Sequence, residues 1–309
     1  MKKKLYISAL IFFLPVVMIL VATEIVCRKL PSNYAVIAEY LESEAAEIEI
    51  MAVGTSQLKD ALNPALMPVP TVNLASGNQH HDTDFKLYKE ISKRLPQLNT
   101  VVLEASYSHF EMPHNGKDFW KNSVYELYYD VNCFERPTWF KDRLLYISNP
   151  SYFSSQILSH YGTDADPTGF NRYGFDTLNF EGRFKRLGFN EEMIAGTNFR
   201  ISRIPDPALY KHNAAFFLKM IEEITAADKQ VIIVKPPMYK TFLPERTPAI
   251  LRRRDSLLNK ISQLYPEIKF LDLEEDTINF KAIHYWNQSH LNPAGARVFT
   301  HLFLDRLEK

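Results

Sequence analysis

The stretch Ile48-Glu49-Ile50-Met51-Ala52-Val53-Gly54-Thr55-Ser56-Gln57 decides how the rest of the chain is read. Its apolar run is too short for a helix and stops at a glycine, which marks a buried β-strand followed by a turn. The same kind of segment recurs outward from it. Thr71-Val72-Asn73-Leu74-Ala75 follows Pro68 and Pro70, and Thr100-Val101-Val102-Leu103-Glu104 follows a third turn. Far downstream come 229–235, stopped by Pro236-Pro237, and 268–273. Helical spacing fills the gaps. Phe85, Tyr88, Ile91 and Leu95 share one face over 82–95, a second helix runs from about Pro248 to Tyr265, and the last runs from Pro293 to Leu307. Pro293 suits a first helical turn. Short apolar strands alternating with amphipathic helices predict an α/β fold, a three-layer doubly wound parallel sheet. Reactive groups then gather at the carboxyl ends of the strands, where Gly54-Thr55-Ser56, Ser76-Gly77-Asn78 and Ser106-Tyr107-Ser108 fall.

Ahead of this domain, Lys2-Lys3-Lys4 precedes an apolar run from Leu5 to Ala22, with Val26 extending it past Glu24. A membrane span needs about 20 apolar residues, and the lysines favour the cytoplasmic side. No small-x-small cleavage site follows clearly, which favours an uncleaved anchor over a signal peptide. The expected organisation is a cytoplasmic stub and transmembrane anchor over 1–27, a partly helical neck over 28–47 and an α/β domain over 48–309. The stretch 111–210 breaks the alternation and is rich in aromatics, among them Trp120, Tyr125, Trp139, Phe140 and Tyr152. It reads as an inserted helical cap, since a structureless loop of that length would be abnormal.

Composition narrows the function. In 309 residues, Lys+Arg and Asp+Glu both number 36, so the balance gives no argument for nucleic acid. Two cysteines, Cys27 and Cys133, make neither a disulfide framework nor a metal site. The adjacent pair in His80-His81-Asp82 is a poor metal site, because neighbouring residues on a helix or strand point apart. No cofactor and no metal are expected. Arg252-Arg253-Arg254 reads as a solvated helix face.

Two residues carry chemistry. Ser56 stands just after the first strand, and His290 stands in His290-Leu291-Asn292-Pro293-Ala294-Gly295-Ala296 just before the last helix. An imidazole can take the proton from a serine hydroxyl near neutral pH and so make it a nucleophile. Read singly, each has a plainer role: Ser56 as the cap of the helix after it, His290 as packing against the last helix.

The ordered set resembles the SGNH (GDSL-type) hydrolase superfamily, closest to its membrane-anchored bacterial members that modify cell-envelope polymers. Val53-Gly54-Thr55-Ser56 matches the first block, Asn73-Leu74-Ala75-Ser76-Gly77-Asn78 the second, and Asn287-Gln288-Ser289-His290 the last, which in the family is Asp-x-x-His. Two departures stand out: Asn287 occupies the aspartate position, and Glu104-Ala105-Ser106-Tyr107 replaces the third block, normally Gly-x-Asn. The resemblance implies Ser56 as nucleophile, His290 as general base and then acid, and the N–H groups of Ser56 and Gly77 as oxyanion donors. Asn78 or Ser106 would supply the third donor. An asparagine cannot stabilise an imidazolium by charge, and in a serine protease triad that exchange drops turnover about 10⁴-fold. The site is therefore a dyad, or recruits Asp272, Glu274, Glu275 or Asp276, or is inactive.

The expected function is a serine esterase or O-acyltransferase, moving or removing an acyl group, foremost acetyl, on a cell-envelope or extracellular glycan. The chain would sit in the bacterial cytoplasmic membrane by a single pass with its C-terminal domain outside. Its partners would be an acylated glycan or acyl donor and a membrane-embedded acyltransferase or export protein. The alternative is an inactive glycan-binding or scaffold subunit of an envelope polysaccharide assembly.

Overall fold

The computed structural model describes residues 2–112, 119–162, 169–179 and 182–307. In chain order these form α1 (Lys2–Lys29), α2 (Asn33–Glu44), β1 (Ile50–Val53), α3 (Ser56–Ala61), β2 (Thr71–Asn73), α4 (His81–Ile91) and β3 (Thr100–Glu104). Then come α5 (Lys121–Tyr128), α6 (Leu145–Ser148), α7 (Pro150–Tyr161), α8 (Arg183–Arg186), α9 (Glu191–Ala195) and α10 (Pro207–Ala226). The chain closes with β4 (Gln230–Lys235), α11 (Pro248–Leu264), β5 (Lys269–Asp272), β6 (Tyr285–Asn287), β7 (His290–Leu291) and α12 (Pro293–Leu307).

Contacts divide the chain into two units. One comprises Met1–Ser32 and Lys117–Thr168, the other Asn33–Gly116 and Gly169–Lys309. The stretch expected as one cap over 111–210 is thus shared between them, and its residues 113–118, 163–168 and 180–181 lie outside the described ones.

In the first unit, α1 carries the apolar run. Its segment Ile11–Lys29 is long and apolar enough to cross a membrane, with a mean hydropathy of 2.2. Glu24, which interrupts that run, is buried: its carboxylate accepts the backbone N–H groups of Leu145 (3.1 Å) and Tyr146 (3.0 Å) at the start of α6 and pairs with Arg28 at 2.8 Å. A charge at that position therefore fastens α1 to the elements beside it. Cys27 and Cys133 are both buried thiols, neither of them in a disulfide.

The second unit holds a five-stranded parallel sheet in the order β2-β1-β3-β4-β5. β1 is buried along its whole length, which is why its sequence is a continuous apolar run rather than an alternation. Successive side chains of a strand point to opposite faces. Ile50, Ala52, Val102, Ile232 and Val234 share one core with Leu58 and Ala61 of α3 and Phe299 and Phe303 of α12. α4 and α10 pack on each other and on the sheet through β1 and β4. The chain winds from β1 outward to β2, returns to β3 on the other side of β1, and continues to β4 and β5. That reversal between β1 and β3 is the switch point where such sheets open a crevice at their carboxyl ends.

Gly54 is fixed there by geometry. Its φ is +156°, and a Cβ at this position would lie 2.6 Å from Glu104 Cβ and 2.7 Å from Glu104 Oε2. Gly54→Ala is expected to cost about 2–3 kcal/mol through backbone strain and overpacking, measured as a lower midpoint in urea for the detergent-solubilised protein.

Candidate active site

The site is assembled from three chain turns of the second unit: the β1–α3 turn, the end of β3 and the β6–β7 hairpin. Thr55 caps α3, its hydroxyl accepting the Gln57 N–H at 3.2 Å. The capping role considered for Ser56 thus belongs to its neighbour, and the Ser56 hydroxyl is left for another partner. That partner is His290: Ser56 Oγ lies 2.7 Å from His290 Nε2.

Behind the ring stands Asn287. Its Oδ1 accepts the backbone N–H of Ser289 at 2.8 Å and of His290 at 3.0 Å. Those two donors settle which amide atom is the oxygen. The same Oδ1 lies 3.0 Å from His290 Nδ1, so Nδ1 carries the proton and donates it. Nε2 then presents its lone pair to the Ser56 hydroxyl, the tautomer a general base requires. Ser289 Oγ lies 3.0 Å from the same Nδ1. Desolvation holds His290 below the ordinary imidazole value, with Asp60 pulling the other way, Lys59 adding to the depression and Glu104 opposing it. The base is therefore neutral at pH 7.

The acidic residues after β5 are engaged elsewhere. Asp272 pairs with Lys235, and Glu275 with Arg246. Glu274 accepts Arg254 (2.6 Å) and Arg246 (2.8 Å), and Asp276 accepts the N–H groups of Ile278 (3.0 Å) and Asn279 (2.9 Å). Asn287, not one of these carboxylates, faces the imidazole. The basic triplet departs from a solvated face for the same reason: Arg254 is buried on Glu274, and Arg253 pairs with the buried Glu111 at 2.6 Å.

Glu104 is the residue that sequence reading missed. It ends β3, is 1 % exposed, and lies under the serine turn. Its carboxylate accepts the Thr55 N–H (2.7 Å), the Thr55 hydroxyl (2.7 Å), the Leu58 N–H (3.2 Å) and the Ser106 hydroxyl (2.5 Å). Ser106 is therefore spent on Glu104 and not directed at an oxyanion. With the N–H groups of Thr55, Gln57 and Leu58 all committed, the Ser56 N–H is the one in this turn with no partner among the described residues. The signal was present in the sequence as a single acidic residue closing an otherwise apolar strand.

Gly77 and Asn78 form the turn after β2, and Ser76 N–H donates to Gly54 O at 2.9 Å, which brings that turn beside the serine turn. Asn78 holds φ +57° and is exposed. The His-Leu-Asn-Pro segment owes its form to Asn292. Its Oδ1 accepts the Ala294 (3.0 Å) and Gly295 (3.1 Å) N–H groups to cap α12, and its Nδ2 donates to Ile283 O at 2.8 Å. At Gly295 a Cβ would meet His284 O at 2.1 Å, so the hairpin and α12 close only over a glycine. Trp286 stands edge-on to His290, ring centroids 6.3 Å apart.

No family model matches the chain, and no curated protein matches it. Among solved structures, it is similar to a Bacteroides fragilis protein described as an acylhydrolase (11 % identity, 84 % of this chain and 86 % of that one, TM-score 0.39). It is also similar to a Streptococcus pneumoniae protein described as a platelet activating factor (10 % identity, 97 % and 99 %, TM-score 0.42). A third is a GDSL-like lipase from Bacteroides thetaiotaomicron (9 % identity, 88 % and 98 %, TM-score 0.39). Likenesses this distant bear on neither activity nor substrate.

Proposed function

We propose that this chain is an SGNH-type serine esterase or O-acyltransferase that acts on an acylated, extracytoplasmic glycan. The observation that carries the reading is the Ser56 Oγ–His290 Nε2 hydrogen bond of 2.7 Å, backed by Asn287 Oδ1 on the opposite ring nitrogen at 3.0 Å. His290 Nε2 takes the Ser56 proton as Oγ attacks the acyl carbonyl carbon. The Ser56 N–H, with that of Gly77, receives the developing oxyanion. His290 then gives its proton to the departing alkoxide, leaving an acyl-serine. Water or a sugar hydroxyl, deprotonated by the same nitrogen, attacks the ester and regenerates Ser56. The choice between water and sugar decides whether the protein hydrolyses or transfers.

Acetyl is the foremost acyl group. Trp286 beside His290 is an aromatic ring of the kind that packs on sugar rings. The apolar run of α1, which follows three lysines, supports a single-pass anchor that leaves the catalytic unit outside the cytoplasm. A membrane-embedded acyltransferase or export protein fits that position as donor or partner. The test is incubation of the full-length protein in detergent with an aryl acetate and, separately, with a neutral oligosaccharide acceptor. Phenol release, with or without an acetylated sugar in the mass spectrum, is expected; neither product from the folded protein overturns the reading.

The substitution at the aspartate position favours a second reading, an inert glycan-binding scaffold, because an amide leaves the imidazolium without an adjacent charge. The two readings differ on Asn287→Asp. In a working site, a carboxylate beside Nδ1 favours the charged ring. The acid limb of kcat/KM then moves to higher pH and turnover rises about tenfold or more. Wild type keeps an acid limb below the ordinary imidazole value, as the depressed His290 requires. A scaffold shows no limb in either protein.

A further inference from the structure

We infer that His81, Asp84 and His109, with the backbone carbonyl of Gln79, form a closed site for one divalent metal ion of the zinc class. The three side chains are buried, and their ligand atoms lie within 4.8 Å of one another. His81 and Asp84 are one turn apart on α4, with His81 Nδ1 3.5 Å from Asp84 Oδ2. His109, from the turn after β3, puts Nε2 3.8 Å from the same carboxylate oxygen. Tetrahedral zinc with nitrogen and oxygen ligands holds neighbouring ligand atoms about 3.4 Å apart, and the two histidine contacts to Asp84 Oδ2 lie near that spacing.

Hydrogen bonding says why a cation belongs there. Both ring nitrogens of His81 are buried without a hydrogen-bond partner. His109 Nδ1 lies 3.2 Å from Glu104 O, and Nε2 lies 3.1 Å from Gln79 O. Both neighbours are carbonyls, which accept only. A neutral ring donates to one of them and turns a lone pair on the other. With the proton on Nδ1, the Nε2 lone pair and Asp84 Oδ2 face the orphaned nitrogens of His81. A proton on Nε2 relieves His109 but leaves His81 orphaned; a metal ion engages both rings and the carboxylate.

The outer contacts are those of a metal site. Asp84 Oδ1 accepts the Gln79 Nε2–H at 2.7 Å, and His109 Nδ1–H donates to Glu104 O. His80 and Asp82 take no part, in keeping with the divergence of adjacent residues. The ion would be structural, since four protein ligands leave no open position. It would fasten the turn that carries Gly77 and Asn78 to the end of β3. The inference stands whether or not Ser56 is a nucleophile.

The competing role for His81 is an aromatic filler: its ring lies 4.5 Å from that of Phe110, 4.9 Å from Phe217 and 3.8 Å from His109. The test uses the full chain, purified in detergent without a polyhistidine tag, dialysed first with zinc and then against metal-free buffer. Elemental analysis is expected to find about one zinc per chain, and cobalt exchange should give the visible bands of tetrahedral Co²⁺. A chelator should lower the unfolding temperature by several degrees. His81→Phe should lose the metal and melt lower. Overturning results are wild type without metal and indifferent to chelator, or metal that persists in His81→Phe. A folded His81→Phe as stable as wild type assigns the filler role and also ends the proposal.

Discussion

Ser56→Ala and His290→Ala are each expected to lower aryl-acetate turnover by about 10⁴-fold or more, and the double variant to be no worse than either. The reason is mutual dependence. The Ser56 hydroxyl is a weak nucleophile at its own pKa, and the imidazole at 2.7 Å has no other proton to take. Without His290, the serine keeps its proton; without Ser56, the base has no work. Neither side chain holds the fold together. Ser56 is not the cap of α3, and α12 is capped by Asn292. Both single variants should therefore melt near wild type, which separates a lost reaction from a lost structure.

Glu104→Ala is expected to be the most damaging substitution to stability and activity together. The carboxylate receives two backbone N–H groups and two hydroxyls in a site 1 % exposed. Removing it leaves those donors buried without acceptors, and burying an unpaired polar group costs about 1–3 kcal/mol each where relaxation does not rescue it. A total loss of about 3–5 kcal/mol is expected. Glu104→Gln is the informative companion. It keeps the shape and one acceptor but turns an NH₂ group toward donors. It should fold, melt lower, and lose kcat far more than it raises KM, because the Ser56 turn is displaced while substrate contacts remain. Thermal unfolding and steady-state kinetics on both variants read this directly.

The fold was readable because each strand of the sheet declares itself locally. Thr100–Glu104 and Pro293–Leu307 coincide with the expected bounds, since a buried parallel strand is a bare apolar run and a proline at the first turn marks a helix start. Ser56 and His290 were readable as a pair because the turn chemistry around each is specific. The rest was hidden where function depends on which distant residue faces which. Nothing local says that Glu104 lies under Thr55, 49 residues away. The orientation of Asn287 is fixed by its own hairpin N–H groups, which an alignment of residue types does not reveal. Arg254 looked solvated beside Arg252 and Arg253, but its partner Glu274 is 20 residues on and equally buried. The region 111–210 carried aromatic content without periodicity, so its division between two units was not legible.

Covalent labelling puts the central claim at most direct risk. Full-length protein in detergent, treated with a fluorophosphonate and digested, is expected to carry one phosphonyl group, on the peptide containing Ser56. The modification should vanish in His290→Ala and after prior incubation with an acyl-ester substrate. A folded wild-type protein that stays unlabelled, or one labelled equally with His290 removed, would contradict the account.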